Sequence, residues 1–272
     1  MTKPRKDIIR EGKRVLSWGL GVQSTCLAVM SVLGDIPPFD FIISSDTGWE
    51  LPETYLVKDY YVKFLTEHGA NVELVSGGNI YLDELEKISM PMHCFPTGGL
   101  LRRQCTNQYK IEPIRKFIRN YLGHKHARGG RIPKDLIKMN LGISYDEFTR
   151  MKDSDVDFIT NEYPLVDMRI TRDVCIEYFV KNNLPVPNKS ACVCCPYSSV
   201  SRFMHIKRDV PEEWNKLVEF DKKIRIPPQK MLDRTDRVSE LYLTHNLKPI
   251  EEVDSFVKSD VTDICESGYC FI

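Results

Sequence analysis

From Lys13 onward, short apolar runs alternate with stretches of helical periodicity. Residues 14–18, 39–45 and 71–75 read as strands, the first two nearly continuous in apolar character, as expected of strands covered on both faces. Between and after them, residues 24–33, 52–68 and 81–88 space their apolar side chains as helices do. This order predicts a parallel sheet flanked by helices. Residues 89–103, with Pro91, Pro96, Gly98 and Gly99, read as a loop. Helical spacing resumes over 107–121, a strand is expected within 136–143, and helices over 145–151 and 171–182. Residues 184–199 form a proline-bounded loop, 199–225 are helical around a turn at Pro211, and the remainder is charged with weak periodicity. Composition changes most sharply near Ser190. The expected division is therefore a nucleotide-binding α/β domain over 1–189 and a smaller, Cys-containing C-terminal part over 190–272.

The chain has 272 residues, 42% of them hydrophobic, enough to bury a sizeable core. No apolar run approaches the roughly 20 residues of a spanning helix, and the charged N-terminus lacks the apolar stretch of a secretory signal. The expectation is a cytoplasmic protein with no membrane role. Thirty-eight Lys+Arg balance 38 Asp+Glu, which argues against a generic basic nucleic-acid coat. The balance conceals a local excess: Arg102, Arg103, Lys110, Arg115, Arg119, Lys125, Arg128 and Arg131 cluster together. That stretch is either a solvated helix face with a charged loop or a positive surface for phosphates; Gly129 and Gly130 suit a flap within it. Nine cysteines in a reducing compartment are not read as a disulfide framework. They divide among core thiols, metal ligands and reactive thiols.

Two turns carry candidate chemistry. Ser17, Gly19, Gly21, Gln23, Ser24 and Thr25 lie where the first strand gives way to its helix. Glycines let the backbone approach an anion, and a helix N-terminus offers N–H groups and a favourable dipole. The alternative is a plain tight turn. The segment lacks the lysine of a Walker A loop and the third glycine of the dinucleotide fingerprint. Ser44, Asp46, Thr47 and Gly48 end the second strand, the edge at which open α/β sheets bind ligands; there the alternative is a polar cap on the following helix. Cys192 and Cys195 form a C-x-x-C pair, and two thiolates from one tight turn can converge on one metal.

Taken together, these segments resemble the phosphoadenosine-phosphosulfate (PAPS) reductase family of the PP-loop ATP pyrophosphatase (adenine nucleotide alpha-hydrolase) superfamily. Gly19 to Ser24 is similar to its phosphate loop, with Leu20 and Gln23 where the family carries Ser/Gly and Asp. Asp46-Thr47-Gly48 with Pro52-Glu53-Thr54 resembles the stretch after the second strand. Cys105 with Lys110-Ile111-Glu112-Pro113, then Leu141-Gly142-Ile143-Ser144 with Asp146, Glu147 and Arg150, match later segments, and Cys192-Val193-Cys194-Cys195-Pro196 completes the series. The resemblance implies a Rossmann-like open parallel sheet with helices on both faces. It implies ATP, PAPS or adenylyl sulfate as ligand, with Mg2+, and Gly142 and Arg150 near the nucleotide. It also implies that Cys105 meets Cys192 and Cys195 in space, as in relatives holding a 4Fe-4S cluster. Cys270 is the favoured fourth ligand, with Cys265 and Cys194 as alternatives. An iron–sulfur cluster, a structural zinc site and unmetallated thiols all remain open at this stage, whereas Cys26 and Cys175 read as core residues.

Three functions follow. The first is ATP cleavage between the α and β phosphates to adenylate an acceptor, in sulfur transfer to a nucleic acid or a metabolite, with a sulfur-donor protein as a further partner. The second is reduction of PAPS or adenylyl sulfate by a tail thiolate, Cys265 or Cys270. The third is a non-catalytic nucleotide-binding subunit. The first is preferred, because Ile143-Ser144-Tyr145 stand where the reductases place arginines after the glycine matched by Gly142.

Overall fold

The computed structural model describes residues 12–124, 132–232 and 237–256. In chain order the elements are β1 (Lys13–Ser17), α1 (Val22–Leu33), β2 (Phe41–Asp46), α2 (Pro52–Glu67), β3 (Val72–Ser76), α3 (Ile80–Glu86), β4 (His93–Pro96), α4 (Glu112–Tyr121), β5 (Ile137–Leu141), β6 (Ile159–Glu162), α5 (Pro164–Asp167), α6 (Arg172–Lys181), α7 (Val200–Asp209), α8 (Pro211–Ile224), α9 (Gln229–Leu232) and β7 (Val238–Tyr242). A turn of π-helix, Asn107–Ile111, precedes α4, and a 3-10 helix, Tyr145–Arg150, follows β5.

The chain forms two units. The first comprises Met1–Ser45, Pro52–Val75 and Pro113–Ser190; the second comprises Asp46–Leu51, Ser76–Glu112 and Ala191–Ile272. The last junction falls at the composition change near Ser190. The segments Asp46–Leu51 and Ser76–Glu112, which join the second unit from within the α/β sequence, carry no such signal.

The first unit is built on a five-stranded parallel sheet in the order β3-β2-β1-β5-β6. Successive side chains of a strand point to opposite faces, and β1 shows the consequence. Leu16 joins Cys26, Leu27, Tyr61, Leu65, Cys175 and Phe179 beneath α1, α2 and α6. Its neighbour Val15 joins Ile43, Ile137, Met139, Ile114 and Ile118 beneath α4. Helices thus cover both faces, as the α/β reading expects. Cys26 and Cys175 are fully buried, in keeping with core roles. Helix α6 begins at Thr171, whose hydroxyl accepts the Val174 N–H.

The second unit contains a two-stranded antiparallel ribbon that the sequence pattern does not reveal. Strand β4 pairs with β7, with His93 opposite Tyr242 and Cys94 opposite Leu241. Helices α3, α7 and α8 pack around Trp49, Phe203, Leu217, Phe220 and Leu241. Asn79 caps α3, accepting from Tyr81 N and Leu82 N at 3.0 and 3.2 Å. Arg225 stacks on Tyr242, 3.8 Å from the ring centroid. Among the described residues no helix is long and apolar enough to cross a membrane.

His93 gives this unit an acid-sensitive point. Burial, and then the neighbouring His245, hold its pKa down to about 4, against 6.5 ordinarily. Between those values the unfolded chain binds a proton that the folded chain refuses, so stability falls as pH falls through that window. We expect His93→Gln to flatten this part of the slope by about 1–2 kcal/mol, read from urea midpoints at a series of pH values. A slope identical to the wild type's would disprove the assignment.

Candidate functional site

In the first unit the loop after β1 is held from two sides. Trp18 donates its N–H to Ile43 O at 2.8 Å, and its indole Nε1 donates to Thr25 Oγ1 at 2.9 Å. Leu20 adopts a left-handed backbone, φ 62°, which costs a non-glycine residue about 1 kcal/mol or more; its buried side chain anchors it in the core. Gly21 is the N-cap of α1 and brings no side chain, and the first turn holds no acid. The leading N–H groups of a helix lack intrahelical partners and carry the positive end of its dipole. Around Gly21, no described heavy atom outside its chain neighbours and the helix's own nearby backbone lies within 4 Å of where a Cβ would stand.

Gly142 completes the loop. It follows β5, which pairs with β1 in parallel from Lys13↔Ile137 to Ser17↔Leu141. A Cβ on Gly142 would lie 2.6 Å from Ser24 N and 2.7 Å from Ser24 Cα. Only glycine allows that approach. Ser17, Gly19, Gly21, Gln23, Ser24, Thr25 and Gly142 therefore gather in one place, with Ser44 buried on the adjacent strand.

The segment after Gly142 is tied to the same loop. Gln23 Nε2 donates to Ser144 Oγ at 3.4 Å and to Glu147 Oε2 at 3.1 Å. Arg172 Nη1 reaches Gln23 Oε1 at 3.5 Å. Arg150, only 7% exposed, places Nη1 2.5 Å from the same Glu147 Oε2. Burial pushes the Glu147 carboxyl upward, and Arg150 opposes that shift. Gln23 is thus the link between the loop and the 3-10 helix. Sequence reasoning noted Glu147 only as part of a motif; its ion pair depends on the helix that follows Ser144.

In the second unit, Asp46 Oδ1 accepts the Gly48 N–H at 2.7 Å. Gly48 is left-handed, φ 79°, and abuts Asn79, which donates Nδ2 to Gly48 O. The next residues face the cysteine loop. Val193 N donates to Trp49 O at 2.9 Å, and Glu50 bridges to Cys192. A relay of donors results: Cys192 Sγ to Thr47 Oγ1 at 3.3 Å, and Thr47 Oγ1 to Glu50 Oε1 at 3.3 Å. Glu50 is buried, and that burial raises its carboxyl pKa against the pull of Lys110 and Arg202. Burial, then the Glu50 charge, pushes the Cys192 thiol well up, with Lys110 opposing.

Cys105, Cys192 and Cys195 line one cavity of about 40 Å3, together with Thr47, Arg103 and Lys110. Arg103 stacks over Tyr197, 5.6 Å from the ring centroid. The juxtaposition implied by the resemblance is therefore present within this unit. Among the described residues no three His, Cys, Asp or Glu side chains are gathered to hold an ion. The Cys192 thiol is directed to Thr47, and Cys194 is buried with its Sγ 3.5 Å from Met90 Sδ. Cys265 and Cys270 lie outside the described residues, as do Lys125, Arg128, Arg131 and the Gly129-Gly130 flap. Of the remaining basic residues, Arg115 is paired with Asp155.

An open parallel α/β sheet with a glycine-bearing loop at the start of its first helix defines the class of this protein. No protein-family model matches the chain. An uncharacterized protein of Methanocaldococcus jannaschii is 25% identical over 211 residues, covering 74% of this chain and 46% of that protein. The chain thus spans about half the length of the curated relative it matches. Among solved structures, a phosphoadenylyl-sulfate (PAPS) reductase from Candida auris, in a phosphate complex, is similar with a TM-score of 0.42 and 11% identity, over 66% of this chain and 76% of the other. The U34-tRNA thiolase NcsA from Methanococcus maripaludis, determined with its 4Fe-4S cluster, is similar with a TM-score of 0.43 and 18% identity, over 86% of this chain and 77% of the other.

Proposed function

We propose that this chain is an ATP-binding enzyme of the PP-loop type, which adenylates an acceptor and releases pyrophosphate in the course of sulfur transfer. The observation that carries the reading is the approach of Gly142 to Ser24 at the bare N-terminus of α1. It supports a rigid backbone cradle, and a row of N–H groups at a helix start suits phosphate. A nucleophilic oxygen of the acceptor attacks the α-phosphorus, the bond to the oxygen bridging α and β breaks, and pyrophosphate leaves with that electron pair. The loop amides and the Ser24 hydroxyl are assigned to the phosphates, where they stabilise charge on the leaving group. A Mg2+ ion bound with the nucleotide would supply further charge neutralisation at those oxygens.

The thiol-lined cavity is assigned to sulfur. Three soft thiols beside Arg103 and Lys110 suit an anionic sulfur species. The acceptor is proposed to be a nucleic acid or a small metabolite.

The test is pyrophosphate release. Wild-type protein with ATP, Mg2+ and candidate acceptors should yield pyrophosphate and AMP, and Ser24→Ala should slow this roughly 10-fold, the size of one lost charge-assisted hydrogen bond. ATP bound but never cleaved, across RNA, DNA and small acceptors, would turn the reading toward a nucleotide-binding subunit. Sulfite released from PAPS or adenylyl sulfate under reducing conditions would replace it with the reductase.

A further inference from the structure

The buried cation nearest the phosphate loop is already engaged. Arg150 lies two hydrogen bonds from α1: its Nη1 meets Glu147 Oε2 at 2.5 Å, and that oxygen also accepts from Gln23 Nε2 at 3.1 Å. Both partners are shielded, with side-chain exposures of 7% and 11%. In such surroundings an ion pair is held together by the cost of leaving either charge alone. A guanidinium spent in this way has little to offer a further anion on the ligand.

Resting on the ATP reading above, we propose that Glu147 is a specificity-determining residue. By pairing with Arg150 it withholds that cation, so the site accepts a nucleotide whose phosphates the loop amides reach and rejects one ending in a sulfate group. The geometry supplies the reason. Ser144 stands at the N-terminal end of the 3-10 helix and accepts from Gln23, and Glu147, at the kink within that helix, accepts from the same Gln23 while it pairs with Arg150. The sequence around Gly142 places no arginine nearer: Ile143, Ser144 and Tyr145 come first. Arg172, the other guanidinium of the network, donates Nη1 to the Gln23 side-chain Oε1 at 3.5 Å.

Removing the carboxylate charge tests this. In Glu147→Gln the buried guanidinium is left uncompensated, and it should recruit an anion. The variant should bind adenylyl sulfate at least 10-fold more tightly relative to ATP than the wild type does, by equilibrium dialysis. Inorganic sulfate should raise its melting temperature more than the wild type's. The double variant Glu147→Gln/Arg150→Gln restores neutrality and should lose both gains, which also separates specificity from a folding defect. An unchanged affinity ratio in Glu147→Gln, or a sulfate effect that survives in the double variant, would overturn the inference. If Glu147→Gln does not fold, the folded double variant decides: with neither charge present it should keep the wild type's preference for ATP, and a turn to adenylyl sulfate would overturn the proposal. Wild-type protein that binds no ATP would instead refute the reading on which it rests.

Discussion

Gly142→Val should abolish ATP binding and lower stability by about 2–3 kcal/mol, the usual cost of forcing atoms into a packed site. The first atom added would lie 2.6 Å from Ser24 N and 2.7 Å from Ser24 Cα. Both are backbone atoms in the first turn of α1, so no rotamer change relieves them. Thr25 N is bonded to Gly21 O at 3.0 Å, and the Thr25 hydroxyl to the Trp18 indole; displacing Ser24 therefore disturbs the whole loop. Gly142→Ala should show the same effect in smaller measure, since its one methyl makes the clash without the added branches. Calorimetric titration with ATP and a thermal melt read the two consequences separately. A Gly142→Val protein that binds ATP as the wild type does would show that the loop is not the nucleotide site.

Glu84→Ala should destabilise the second unit by about 3–4 kcal/mol, for buried donors left without an acceptor. Glu84 is 1% exposed. Its carboxylate accepts Ser89 N at 2.6 Å, Met90 N at 3.0 Å and the Ser89 hydroxyl. Burial pushes its pKa upward, and these three donors oppose the shift. The consequence reaches the cavity, because Ser89 O in turn accepts Gln104 N at 2.9 Å and Cys105 N at 3.2 Å. Once the clamp is lost, Cys105 should react with N-ethylmaleimide at least several-fold faster. Glu84→Gln retains an acceptor oxygen and should keep most of the stability. Urea unfolding with mass-spectrometric mapping of the alkylated cysteine decides both points; equal stability and equal Cys105 labelling in Glu84→Ala would refute the clamp.

Local patterns carried the first unit well. Strands β1 to β3 and helices α1 and α2 alternate at short range, and each run is long enough for its period to declare itself. The glycine loop was legible for the same reason, since its residues are consecutive. Strands β4 and β7 were not. His93–Pro96 sits among prolines and glycines that read as loop, and its partner Val238–Tyr242 lies in a weakly patterned stretch. Pairing between such distant segments leaves no local period. Glu84 offered still less, being one acid in a short helix whose partners are the amides of a following loop.

The order of elements, the glycine at 142 and the thiols at 105, 192 and 195 are properties of the chain alone, because residue type and periodicity are local quantities. Which of those thiols share a cavity was decided by the tertiary structure. Cys194, adjacent to Cys195, is packed into the core against Met90, whereas Cys105 joins the C-x-x-C pair. The same holds for Arg150, which the fold pairs with Glu147. Burial decides these outcomes: a charge or thiol removed from water takes the partner that packing brings to it, and packing joins residues such as Gln23 and Ser144, 121 positions apart.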